Sequence, residues 1–196
     1  VSKPFDFEDL NKIKLAKKGK ERLKHFADTV IVIPYQKLND LYVNLPIANI
    51  YEKGEKAFVT IVKGILDLIK KQGIVNLDFA DIKSILQNSG KTVLGFGKAD
   101  GEDRVKKAVE QALNTPLLDR SIKGAGKILM NITSGNDIRL EEISKIATAV
   151  AKSSENPDLF LAWGTVFEET KFENPEDFEQ KGSCVKVYLI ATDFGD

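Results

Sequence analysis

The stretch NLDFADI, residues 76–82, stands where a long apolar-striped segment ends and a shorter one begins, and it carries two carboxylates, Asp78 and Asp81, three positions apart. Upstream, from Leu45 to Lys71, the apolar residues Ile50, Ala57, Phe58, Ile61, Ile65, Leu68 and Ile69 recur at spacings of three and four. That is the period of a helix with one buried face. Pro46 suits the first turn, Lys70 and Lys71 suit the negative end, and Gly73 terminates the pattern. A helix of this length spans roughly 37 Å at 1.5 Å per residue, enough to run between two domains. Gly54 and Gly64 inside it each cost about 1 kcal/mol of helix propensity, so close packing is expected at both.

The two acids admit two readings. An aspartate at a helix N-cap with a second acid three residues on resembles a capping box, and both charges favour the positive helix end. Alternatively, carboxylates at this spacing share one helical face, where they can polarise and orient a water attacking a phosphoryl group. Acids near phosphates repel unless cations or backbone dipoles offset them, and the chain holds no GxxxxGK[ST] phosphate loop. On this second reading the complementary positive site lies on another molecule.

Beyond the junction the helical pattern resumes through Ile82, Ile85 and Leu86 until NSGK. Strand and helix then alternate: TVLGFG (92–97), a helix over 103–114, a PLLD turn, KILMNIT (127–133), a helix over 140–154, LFLAWGTVF (159–167), an acidic loop, and CVKVYLIATDF (184–194). Four strands and two helices predict an α+β layer pair with the helices over one sheet face. GFGKADG (95–101) has the order strand, glycines, helix, but its third glycine falls at 101 rather than 100, which predicts a tight turn instead of a dinucleotide site. Before the long helix, VSKPFDFED reads as a strand end and turn, and residues 9–26 as a helix with apolar points at Leu10, Ile13, Leu15, Leu23 and Phe26. TVIVIP (29–34) reads as a buried strand stopped by Pro34.

With 196 residues, 42% hydrophobic and 30% charged, the chain has room for one domain or two small ones. Lys+Arg and Asp+Glu number 29 each, so no net field recruits nucleic acid or an anionic membrane. The basic run 12–24 reads as a solvated helix face and the acidic run 168–179 as a solvated loop. The single Cys184 precludes an internal disulfide and reads as a buried reduced thiol, which suits the cytosol. No apolar run approaches the roughly 18 to 20 residues of a membrane span, and the first residues lack a signal-peptide pattern, so a soluble protein is expected. One histidine and one cysteine supply neither a zinc cluster nor a Ser/His or Cys/His catalytic pair; no metal ligands are assigned, and His25 reads as a helix-terminus residue.

VSKPFDFE, TVIVIP, NLDFADI, GFGKADGEDR, TPLLD, NITSGNDIRLEE and LIATDF, taken in this order, resemble successive blocks of the FtsZ family, the tubulin-like cell-division GTPases, across nearly all 196 residues. The resemblance implies a combined α/β and α+β fold. Residues 1–44 would be the tail of a Rossmann-like nucleotide-binding domain, 45–72 the central helix, and 73–196 a C-terminal GTPase-activating domain with a four-stranded sheet and two helices. Subunits of the family stack head to tail, and the loop after the central helix enters the neighbour's GTP site. Carried over, the acids there are Asp78 and Asp81 with Asn76 beside them, while Phe79 and Leu140 fall on the interface between subunits and Tyr51 approaches the guanine base.

Where the family commonly sets an aspartate against that base, this chain has Lys56, with Glu55 next to it. The family's glycine-rich phosphate loop has no counterpart in these 196 residues. GTP or GDP, with Mg2+ accompanying it, would therefore be bound mainly by an N-terminal half and by the adjoining subunit, and the chain alone is expected to be inactive. The implied partners are further copies of the protein and the N-terminal half, with no nucleic acid and no membrane insertion, in the cytoplasm at the division site. A second reading, of a different class, is a non-enzymatic FtsZ-like module that caps or blocks filament ends through its acid-bearing face.

Overall fold

A computed structural model describes residues 1–37, 46–71, 73–114, 121–168 and 183–195. In chain order its elements are β1 (Ser2–Lys3), α1 (Leu10–Lys24), β2 (Thr29–Val30), β3 (Ile33–Pro34), α2 (Ile47–Lys70), α3 (Phe79–Leu86), β4 (Gly90–Lys91), β5 (Val93–Ala99), α4 (Arg104–Leu113), β6 (Lys127–Ser134), α5 (Leu140–Ser154), β7 (Phe160–Phe167) and β8 (Val185–Thr192). The longest strands form one four-stranded sheet in the order β5-β8-β6-β7. β6 and β7 are parallel, and β8 runs antiparallel to both β5 and β6. α4 and α5 are the crossovers that the like-directed strands β5, β6 and β7 require.

The two crossover helices lie over one sheet face, as the sequence predicts, and the opposite face is covered as well. Ile128, Met130 and Ile132 of β6 and Val185, Val187 and Leu189 of β8 pack with Val105, Val109, Ile143, Ile146 and Val150 from α4 and α5. The opposite parity, Leu129 and Ile190, packs with Leu68, Ile82 and Ile85 from α2 and α3, together with Phe5 and Ile33. A strand such as KILMNIT is apolar at both parities, so each of its faces needs a cover. The long helix supplies the second one. It begins at Ile47 with Pro46 as N-cap, and Leu45 lies outside the described residues.

The glycines of GFGKADG are packing devices. A Cβ on Gly95 would sit 2.5 Å from the Ala112 carbonyl oxygen and one on Gly97 would sit 1.9 Å from that of Ala108, so α4 lies directly on β5. Gly101, at φ +71°, makes the turn into α4. The expected single strand TVIVIP divides instead into two pairs, β2 with β4 and β3 with β1, all parallel. Thr29 is held by the Leu86 carbonyl and the Ser89 hydroxyl, whereas the Ile33 amide donates to Val1, so the run changes partners midway.

α1 buries none of its residues. Leu10, Leu15 and Leu23 on it and Phe26 just beyond it, apolar points of the helical pattern, are all exposed, Phe26 at 86%. His25 is the C-cap, its amide donating to Arg22 and Leu23. Cys184 is half-buried rather than buried, and burial pushes its thiol up although Lys98 and Lys186 pull the other way. The PLLD turn, and the acidic loop beyond Glu168, lie outside the described residues. Among the described residues no helix is long and apolar enough to cross a membrane.

Candidate functional site

The junction between α2 and α3 is laid on the edge strand β7. A Cβ on Gly73 would fall 1.6 Å from the Thr165 carbonyl oxygen, a separation no other residue type tolerates without displacing the loop. The buried Thr165 hydroxyl accepts the amides of Ile74 and Val75, each at 3.1 Å, and the Thr165 amide donates to the Val75 carbonyl at 2.9 Å. Asn76 staples the loop to itself: its Oδ1 accepts the Gly73 amide at 2.8 Å, and its Nδ2 donates to the Gly73 carbonyl at 3.2 Å. The residue expected beside the acids as a participant in chemistry is thus occupied in holding their backbone.

Asp78 is the N-cap of α3, its Oδ1 accepting the Asp81 amide at 2.8 Å. The capping reading therefore describes Asp78. Asp81 is different: it lies half-buried in the first turn, and its carboxylate has no hydrogen-bond or ion-pair partner among the described residues. Phe79, between them, is 67% exposed. The fold thus gathers Asn76, Asp78, Phe79 and Asp81 on one junction, with Asp81 as the uncommitted acid.

Tyr51 belongs to the other end of α2. Its ring meets Phe5 edge-on at 5.8 Å and Tyr35 at 4.9 Å, and Phe7 stacks on Phe5 at 5.1 Å. Burial pushes the Tyr35 phenol up, with the Glu55 carboxylate adding to the effect. Lys56 is engaged by Glu52 one turn back, at 2.5 Å. From Tyr51 to the helix end at Lys70 the rise is roughly 28 Å at 1.5 Å per residue. The aromatic group and the acid junction therefore stand at opposite ends of one rigid rod.

Leu140, the first residue of α5, is 77% exposed on a separate element. Behind it lies an ion cluster that sequence reasoning missed. Arg104 grips Glu142 with Nε at 3.0 Å and Nη2 at 3.1 Å, while Nη1 reaches Asp137 at 2.5 Å and the Ser183 carbonyl at 2.8 Å. Burial alone pushes the carboxyls of Asp137 and Glu142 up. Hydrogen bonds from Ser183 to Asp137, and from Arg104 and the Arg139 amide to Glu142, outweigh it and hold both below the usual range. A groove of about 530 Å³ between α4 and α5 is lined by Arg104, Val109, Leu113 and Lys145 and by none of the acid-junction residues. Among the described residues no group of three His, Cys, Asp or Glu side chains could hold a metal ion.

A mixed four-stranded sheet with two crossover helices on one face and a long helix on the other is the C-terminal domain fold of the tubulin and FtsZ class. Residues 90–195 match the family described as FtsZ family, C-terminal domain. The chain belongs to the FtsZ family. It is 40% identical over 192 residues to cell division protein FtsZ 1 of Thermococcus kodakarensis, covering 98% of this chain and 48% of that protein. To FtsZ 1 of Methanocaldococcus jannaschii it is 38% identical, covering 98% and 50%. A solved FtsZ dimer from M. jannaschii superposes with a TM-score of 0.84 at 36% identity, over 98% of this chain and 53% of that one. A CetZ from Methanosaeta thermophila shares the fold, with a TM-score of 0.72 at 16% identity over 100% of this chain and 51% of that one. The chain spans about half the length of the curated relatives it matches.

Proposed function

We propose that this chain is the activating half of an assembly-dependent cell-division GTPase. Its Asp81, with Asp78 and Asn76 fixing the loop, readies the water that attacks GTP held by the adjoining subunit of a head-to-tail filament. The observation that carries the reading is the length of α2: from Tyr51 to the helix end at Lys70, beyond which the acid junction begins, the rise is roughly 28 Å. A base resting near Tyr51 and a γ-phosphate near Asp81 therefore belong to two different nucleotides, in two different sites.

Residues 1–44 are read as the end of a nucleotide-binding domain and 73–196 as the activating domain, with α2 between them. The N-terminal half that would complete the first domain is the partner for the exposed apolar side chains Phe7, Leu10, Leu15 and Phe26. GTP or GDP, with its Mg2+, would be bound mainly by that half. Among the described residues no cluster of three His, Cys, Asp or Glu side chains could hold that ion. At the base, Glu55, whose charge acts on Tyr35, would stand in for the family's aspartate, while Lys56 pairs with Glu52. The place of action is the cytoplasm at the division site.

In the full-length protein, Asp81→Ala is expected to lower GTP turnover roughly a hundredfold or more, the scale of a lost positioned acid or base. GTP affinity of the unassembled subunit should stay unchanged. Equal loss of binding and turnover in titration and phosphate-release measurements would refute the assignment to a neighbour's site. The alternative is a filament cap that presents the acid junction in the shape that bonds among Gly73, Asn76, Asp78 and Thr165 and the neighbouring amides hold. Substoichiometric addition of the chain to an assembling full-length protein would then lower polymer mass and turnover together.

A further inference from the structure

Leu140 projects from a turn that one buried guanidinium grips on both sides. Arg104 is 8% exposed and begins α4, yet its bonds end on three other segments: Asp137 before the turn, Glu142 within it, and Ser183 ahead of β8. Each partner is itself committed to backbone. Glu142 accepts the Arg139 amide at 2.9 Å, Asp137 accepts the Ser183 amide at 2.9 Å, and the Ser183 hydroxyl accepts the Gly135 amide at 2.8 Å. Residues 135 to 142, the whole approach to α5, are thereby tied to one planar fork.

A buried ion cluster of this kind is poorly explained by stability, because well-packed apolar side chains of similar volume serve as well or better. What a bidentate guanidinium adds is fixed geometry. The first turn of a helix has amides without intrahelical partners and frays readily, so an exposed side chain there is held in one direction only if the turn is clamped. We propose that Arg104 is a positioning residue for filament assembly: it locks the first turn of α5 so that Leu140 meets the adjoining subunit already ordered. This rests on the reading that the start of α5 is an interface between subunits.

The test is made in the full-length protein. Arg104→Lys keeps one charge but cannot bridge both carboxylates. Sedimentation should show its critical concentration for assembly raised about tenfold, the cost of ordering roughly one residue at association. GTP affinity of the unassembled subunit should be unchanged, and turnover per assembled subunit should recover at saturating protein, a split that a merely structural defect would not produce. Glu142→Gln, which keeps one acceptor oxygen for Arg104 and the Arg139 amide but turns the other into an amide donor, should raise the critical concentration by a smaller factor, about threefold. It decides the matter if Arg104→Lys does not fold: a rise supports the proposal and no rise overturns it. Leu140→Ser separates the two levels of the argument. If it raises the critical concentration while the Arg104 and Glu142 variants assemble as wild type, the positioning role is overturned and the interface stands. If Leu140→Ser assembles normally, the interface reading falls and the positioning role with it.

Discussion

At the scale of single residues, the two aspartates divide the two readings of NLDFADI between them. Asp78 caps α3 through the Asp81 amide, and the Asp81 carboxylate has no partner among the described residues. Asparagine caps a helix about as well as aspartate, whereas alanine does not. Asp78→Asn in the full-length protein should therefore melt like the wild type, while Asp78→Ala loses about 1 kcal/mol, read from thermal unfolding. If Asp78 also contributes charge to the water's environment, Asp78→Asn lowers turnover as Asp78→Ala does; undiminished turnover in Asp78→Asn would confine this residue to its cap. The acid spacing was legible in the sequence because capping and chemistry ask for the same residues there. The anchor was not legible: Thr165, whose hydroxyl takes the two loop amides, comes about ninety positions later. Only the fold brings it under Gly73.

At the scale of elements, the amphipathic period, Gly64 and Gly73 disclosed most of α2. The expected close approach at Gly64 is a ring: a Cβ there would lie 2.7–2.9 Å from Tyr188 of β8, and the Gly64 carbonyl accepts Asn131 Nδ2 at 2.8 Å. Gly64→Ala gains about 1 kcal/mol of helix propensity but must displace the ring, for a net loss of about 1–3 kcal/mol by denaturant unfolding. In a Tyr188→Leu background the same substitution should cost less, a non-additivity that reports the contact. Periodicity served less well before α2. TVIVIP is too short to reveal that its halves pair with different strands, and the apolar points of α1 announce a buried face without saying what buries it. A helical period identifies a face that needs covering; the cover is a property of the assembly.

At the scale of the whole molecule, the two-faced sheet holds the acid junction on one edge and the clamped start of α5 beyond the end of β6, each built from residues far apart in sequence. The clamp leaves a signature in acid. Asp137 and Glu142 have lowered values in the fold, so their contribution is complete above the ordinary carboxylate range and is lost as pH falls through those lowered values. Unfolding free energy should hold steady near neutrality and decline below about pH 4, and Glu142→Gln should flatten that decline. An unchanged acid slope in Glu142→Gln would remove Glu142 from the account.

The most direct measurement mixes two full-length variants, each inactive alone: Asp81→Ala, which binds GTP but offers no activating acid, and a variant that cannot bind GTP but keeps Asp78 and Asp81. Placed in alternation, the second subunit's junction enters the first subunit's nucleotide site, so phosphate release from the mixture should rise well above the sum of the separate rates. Coassembly without any such rise would contradict the claim that these carboxylates work on a neighbour's GTP.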